Sequence, residues 1–261
     1  MILLLVFILG AIVGSFLNVC IARIPKRESI INPPSHCPNC KKPIAFYDNI
    51  PLLSYLFLRG RCRSCGERIS PRYFVVELLT AALAVTLLHR FGLSLAFVGG
   101  FVFVAALIVI SFVDLDVRIV PDVISLPGIL LGFLISVVAH YWLGDSLFVI
   151  PSPVSSLLGI LIGGGSFLLM AWAYHFFTGV EGMGGGDVKL LAMIGAFLGW
   201  PSIPVTIFFA SLGGSVVGLT LMLGKGVGGK HALPFAPFLC IGALLHLFFG
   251  DAVIGWYLPG G

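Results

Sequence analysis

Long apolar runs separated by short polar gaps constrain this chain more than any other feature. Met1 to Ile21 is long enough to span a bilayer at about 1.5 Å per residue. Seven further apolar segments follow, at about 74–94, 97–113, 123–143, 155–178, 188–200, 203–222 and 233–250, with no sequence repeat among them. A bilayer offers the backbone no water to bond to, so such segments cross it as helices. Hydrophobic residues make up 59% of the chain and charged residues 10%, with a mean hydropathy of +1.11. No soluble domain of 261 residues has that balance. The expected fold is an all-α polytopic membrane protein of about eight transmembrane helices, interrupted by one sizeable polar loop.

The charges set an orientation. Ten of the fifteen Lys and Arg residues lie between Arg23 and Arg72, so the net charge of +4 reports topology rather than a binding surface. No basic stripe recurs elsewhere, which excludes nucleic acid as a partner. The first apolar run is followed, not preceded, by its positive charges, unlike a cleavable secretory signal. Arg23, Lys26 and Arg27 should hold the next loop in the cytoplasm and leave the N-terminus outside. Eight spans then put residues 23–73, 114–122, 179–187 and 223–232 on the cytoplasmic side, and thirteen of the fifteen cations fall in these loops. Within the first helix, Gly14 to Asn18 reads as a packing face with Asn18 bonded across helices. Gly159, Gly163, Gly164 and Gly165 give a later helix a small-residue face. The 188–200 segment reaches only about 20 Å, so it sits inside a bundle or leaves its N-terminus below the membrane surface.

The polar loop carries Cys37-Pro-Asn-Cys40 and Cys62-Arg-Ser-Cys65, two Cys-x-x-Cys knuckles separated by 21 residues. Four such cysteines read as a zinc site, the alternative being disulfides, which a cytoplasmic location disfavours. A Cys37, Cys40, Cys62, Cys65 set closes the tetrahedron, so the metal is expected to be structural. His36 reads as a bystander, and Cys20 and Cys240 as inert core residues.

Two acids stand at the ends of apolar segments on the same inferred side. Asp187 closes Glu181-Gly182-Met183-Gly184-Gly185-Gly186-Asp187 and directly precedes the run from Val188 to Trp200. A carboxylate is tolerated there because a helix N-terminus favours an anion, and the plain alternative is that Asp187 only caps its helix. Asp114 directly follows the run from Phe101 to Val113. Nearby, Asp122 reads as a helix N-cap after Pro121, and Asp116 as a partner of Arg118 or a solvated group. Two carboxyls brought together share a proton and can activate water against a peptide carbonyl, one acting as base and one as acid. No Ser–His pair or open metal set competes with them, since the six histidines are scattered singly.

These residues resemble the type IV prepilin peptidases, membrane aspartyl proteases with a Gly-x-Gly-Asp motif, over nearly the whole chain. Gly14-Ser15-Phe16-Leu17-Asn18-Val19 is similar to the family's first-helix signature. The cysteine pairs, Ser70 to Tyr73, and Glu77 are similar to its cytoplasmic loop. Gly182 to Leu190 is similar to its second aspartate motif, and Pro234 to Phe238 to its last-helix signature, with Ala236 where the family usually has Gly. In the family the first catalytic acid precedes a Pro-Asp pair, which here selects Asp114 and not Asp122.

The resemblance implies cleavage of a short basic leader from prepilins or pseudopilins after a glycine, at the cytoplasmic face of a bacterial inner membrane. It also implies methylation of the new N-terminus with S-adenosylmethionine, in type IV pilus or type II secretion systems. The family's methylation residues match Gly60 and Arg61, Arg standing where Lys is common. The expected division is residues 1–22 as first helix, 23–73 as zinc-binding loop linked to methylation, and 74–261 as peptidase helices. Two other readings of the residues stay open here: a transporter relaying protons through the two acids, and an assembly factor docking through the zinc loop.

Overall fold

The computed structural model describes residues 1–142, 150–179, 184–225 and 233–257. Glu181, Gly182 and Met183 of the second acid motif, and most of the 223–232 loop, lie outside the described residues. Nine α-helices occur in the described part, in the order α1 (Ile2–Arg23), α2 (Leu53–Phe57), α3 (Pro71–Phe91), α4 (Leu95–Val117), α5 (Asp122–Trp142), α6 (Pro153–Thr178), α7 (Gly185–Leu198), α8 (Ser202–Lys225) and α9 (Ala236–Tyr257), with two short 3-10 turns, Ile24–Lys26 and Phe46–Asp48, between α1 and α2. Among the described residues there is no sheet, only two isolated β-bridges. Helices α1, α3, α4, α5, α6 and α8 are long and apolar enough to cross a membrane, and α9 contributes a shorter apolar stretch, Ala236–Gly250. The chain is that of an all-α membrane protein, and every expected apolar segment is a helix.

Several ends differ from the expected ones, each for a local reason. α3 begins at Pro71 because Ser70 caps it, accepting from the Arg72 N–H at 3.4 Å, and Pro suits a first helical position. α4 continues past Asp114 to Val117, so that acid lies within the last turn and not beyond it. α7 begins at Gly185 with Gly184 at the cap, so Asp187 lies inside the first turn and is not the capping residue. Asp122 likewise belongs to the first turn of α5 and not to its cap.

The chain divides into two compact units, Met1–Val109 and Ile110–Gly261, the division falling within α4. In the first, α1 packs along α3. A Cβ on Gly10 would lie 2.8 Å from the Ala81 backbone, and one on Gly14 2.7 Å from that of Glu77, so the two backbones meet at a small-residue face. Asn18 bonds across this seam, its Nδ2 donating to the Tyr73 carbonyl at 3.0 Å. Buried Arg23 donates to the carbonyls of Ser29 (2.9 Å) and Pro33 (2.7 Å), folding the loop back on the end of α1. Buried Glu77 accepts from the Leu52 N–H at 2.8 Å and fastens the start of α2 to α3.

In the second unit α7 is the central element. Its 14 residues are too few to cross a bilayer, and Leu190 to Ala196 are all buried. It is packed by α5, α6, α8 and α9. Gly159 of α6 meets Gly195 of α7 backbone to backbone, and a Cβ on Gly163 would lie 2.6 Å from the Leu191 carbonyl oxygen. Ser156 closes the same seam by donating to the Ala196 carbonyl at 2.8 Å. Gly165 does not share this face: nothing lies within 4 Å of where its Cβ would be.

Candidate active site and thiol cluster

The last turn of α4 presents Asp114, only 5% exposed, to the first residue of α9. The Ala236 N–H donates to Asp114 Oδ2 at 3.1 Å, and Ala236 itself is fully buried. One turn earlier on α4, the Ser111 hydroxyl hydrogen-bonds the buried Cys240 sulfur, one turn further along α9. The two rungs fix the register of α4 against α9.

Asp187, half-buried in the first turn of α7, lies within electrostatic reach of Asp114, and both acids lie within reach of Cys240. The structure therefore places the two expected acids within each other's electrostatic field. A Cβ on Gly186 would lie 2.9 Å from Val120, so the α4–α5 turn and the start of α7 are in contact beside the pair. Lys189 Nζ reaches Asp122 Oδ1 at 2.7 Å and ties the first turns of α7 and α5. Asp122 is thus engaged elsewhere, while Asp116 is exposed. The Ala236 donor and the Ser111–Cys240 rung escape a reading of the sequence. A backbone N–H has no residue signature, and Cys240 reads as plain core.

In the first unit the Sγ atoms of Cys37, Cys40, Cys62 and Cys65 lie within 4.8 Å of one another. All four are free thiols, so the disulfide reading does not describe them. The Cys37 and Cys65 sulfurs are 3.9 Å apart. That suits a tetrahedral ion with sulfur at about 2.3 Å, which requires roughly 3.8 Å between ligands. The Cys65 and Ser64 N–H groups hold the Cys62 thiol down at about 7, near the range in which thiolate forms. Cys65, although it accepts from the Glu67 N–H, is pushed up to about 11 by desolvation and the neighbouring thiols. The cluster can hold a metal and leaves it no open position.

The two knuckles are copies of one turn, 25 residues apart. Cys37 N–H donates to Lys42 O and Cys62 N–H to Glu67 O; Ile44 N–H donates to Ser35 O and Ile69 N–H to Gly60 O. Lys41 and Gly66 take positive φ at the matching position, 59° and 72°. Gly60 and Arg61 are therefore the counterparts of Ser35 and His36. Gly60 has φ +65°, and a Cβ there would lie 2.9 Å from the Tyr55 ring, so its smallness is required by the turn itself. Arg61 is exposed. The neighbouring Arg63 is fixed instead, with two 2.7 Å bonds to Asp48 that hold that carboxyl below its usual range.

Fold and site together define a polytopic helical membrane protein with a carboxyl pair at its helix ends and a separate four-thiol cluster. The Bacterial Peptidase A24 N-terminal domain matches residues 8–91, and the Type IV leader peptidase family matches residues 101–219. The chain is 35% identical to a prepilin leader peptidase/N-methyltransferase of Aeromonas salmonicida, covering 97% of this chain and 93% of that one. It is 35% identical to the like-named protein of Pseudomonas aeruginosa, over 96% of this chain and 91% of the relative. A Myxococcus xanthus protein of the same name is 43% identical over 86% of this chain and 64% of its own length. No solved structure matches. The chain belongs to the type IV leader peptidase family.

Proposed function

We propose that this chain cleaves the leader peptide from type IV prepilins or pseudopilins and methylates the new N-terminal residue with S-adenosylmethionine. Asp114 and Asp187 are the catalytic pair, activating water against the peptide bond that follows a glycine. The observation that carries this is the meeting of two acids from distant helices, one buried and bonded to a helix N-terminus, within each other's field. The names of the Aeromonas and Pseudomonas relatives, which cover nearly the whole chain, support both activities. The proton-relay and docking readings have no comparable support.

The metal is zinc, held by Cys37, Cys40, Cys62 and Cys65 in a structural role. Residues 23–73 form the loop linked to methylation and residues 74–261 the peptidase helices. Of the two proposed methylation residues, Gly60 also shapes its knuckle, so exposed Arg61 is the cleaner probe, binding the carboxylate of S-adenosylmethionine. The enzyme lies in a bacterial inner membrane with the acid pair and the thiol loop facing the cytoplasm, an orientation supported by the crowding of Lys and Arg into 23–72.

Incubation of the purified protein with an intact prepilin tests the reading. Mass spectrometry should show leader loss first and methylation of the shortened product when S-adenosylmethionine is added. An unshortened precursor would refute it.

A further inference from the structure

We propose that α2 seats the polar loop between α1 and α3 on the bilayer. Its outer face, Ile50, Leu53, Leu56 and Phe57, lies among lipids at the boundary between headgroups and acyl chains. The occupant of this face is the phospholipid of the membrane that α1 and α3 cross. The inference needs only those two spans, not the assignment of the acids or of the methylation residues.

The sequence sets the segment apart. Residues 23–72 hold ten Lys and Arg against three acids, Glu28, Asp48 and Glu67, yet Ile50 to Leu58 carries no charge. Exposed cations frame it, Lys41 and Lys42 before and Arg59 directly after. An apolar run framed by cations suits an interface, its side chains in lipid and its flanks at anionic headgroups.

The two sides of α2 differ. On the inner side Tyr55 packs on Phe74 of α3, ring centroids 5.4 Å apart, and Leu52 is half-buried. On the outer side Leu53, Leu56 and Phe57 have the spacing of one helix face and are all exposed, Phe57 at 82% and Leu56 at 59%. Contiguous apolar surface of this kind marks a contact with lipid or with protein.

Depth decides for lipid. The Leu52 N–H donates to Glu77 Oε2 at 2.8 Å, so the start of α2 is pinned beside the second turn of α3. Glu77 stands six residues beyond Pro71, about 9 Å along the axis. On α1 the same level is marked by Gly14, whose Cβ would meet the Glu77 backbone at 2.7 Å. Gly14 lies nine residues, roughly 13 Å, before Arg23. The 21 residues of α3 are just enough to cross about 30 Å of hydrocarbon, which leaves no room to hold its second turn above the membrane. Leu78 and Leu79 follow Glu77 on α3 and are exposed, so the open face of α2 continues a lipid-facing surface.

The backbone of the segment suits that place. Ile50 N–H donates to Ser54 Oγ, and the Ser54 hydroxyl donates to the Tyr47 carbonyl, both at 3.1 Å. The N–H groups of Leu53, Ser54, Leu56 and Leu58 bond to carbonyls within the segment. These polar groups bring their own partners to a place where water is scarce. The far end of α2 is locked to the second knuckle. Gly60 N–H donates to the Tyr55 carbonyl at 2.8 Å, and the Tyr55 hydroxyl to the Ile69 carbonyl at 3.4 Å. Lipid held on α2 therefore sets the height of Cys62 and Cys65 over the membrane.

Full-length protein in nanodiscs containing phosphatidylglycerol tests this. Phe57→p-benzoylphenylalanine is compared with the same replacement at Ile12, exposed midway along α1, and at Glu67, exposed on the second knuckle. After illumination, mass spectrometry should find the added mass of one phospholipid at position 57, in a yield like that at 12 and well above that at 67. A lipid adduct at 12 with none at 57 overturns the proposal. So does a crosslink from 57 to a second copy of the chain, or to added prepilin, in place of lipid, because the face is then a protein interface.

A second measurement uses the unsubstituted chain. In discs made with a phospholipid that carries a diazirine at the top of its acyl chain, peptides covering 50–58 should be labelled and those covering 62–69 should not. Label on α1 and α3 without label on 50–58 overturns the proposal.

Discussion

At Asp122 the carboxylate is committed to Lys189, 2.7 Å away, while both side chains keep much of their exposure, 58% and 37%. Exposed pairs of this kind contribute about 0–1 kcal/mol. Asp122→Asn should therefore retain cleavage within a few-fold of the parent in a peptide assay, and Lys189→Met should behave alike. A total loss in either would place this pair in the catalytic machinery. At Arg61 the expectation is the opposite kind of selectivity. Arg61→Ala should lose methylation and keep cleavage, read as a processed but unmethylated pilin by mass spectrometry. That the two acids come within each other's field and the four cysteines cluster was legible, because each acid interrupts an apolar run and each knuckle carries two of the thiols. What each acid touches was not. Asp114 is held by a main-chain N–H that comes from a segment 122 residues away, and no side-chain pattern encodes such a partner.

Between elements of the second unit, α6 meets α7 backbone to backbone through Gly159 and Gly195. A side chain there meets backbone, which cannot rotate away, so overpacking should reach the upper end of its usual range of about 1–3 kcal/mol or exceed it. Gly159→Leu should lower the thermal midpoint and the yield of active protein. Gly165→Leu, placed where nothing lies within 4 Å, should leave both near the parent values. Equal effects from the two would mean that the α6–α7 seam is not organised by glycine. The existence of the helices was plain from composition, because in a bilayer an apolar run has one way to satisfy its backbone. Their ends were not. The backbone ladder of α4 continues through Leu115, Asp116 and Val117, although the apolar run stops at Val113, because helical hydrogen bonds do not require apolar side chains. At α9 the chain passes Leu233 and Pro234 before the helix opens at Ala236, and that shift sets the amide against Asp114.

For the molecule as a whole, the account assigns two activities to two separate groups of residues, with a metal supporting one of them. Metal analysis should find about one zinc per chain, and Cys37→Ser with Cys40→Ser together should lose it. Stoichiometric zinc in that double variant would refute the ligand set. Removing the metal should make the 23–73 loop more sensitive to protease without reaching the carboxyl pair. The central claim is that cleavage depends on the two carboxyls acting together. It is tested most directly by the rate of leader removal from an intact prepilin by the parent, Asp114→Asn and Asp187→Asn proteins, each purified folded and in its membrane-extracted form. The account predicts that each single variant loses cleavage, because the acids act as a unit, while Asp114→Asn still methylates a pilin that has already been cut. Near-parent cleavage by either variant would contradict it.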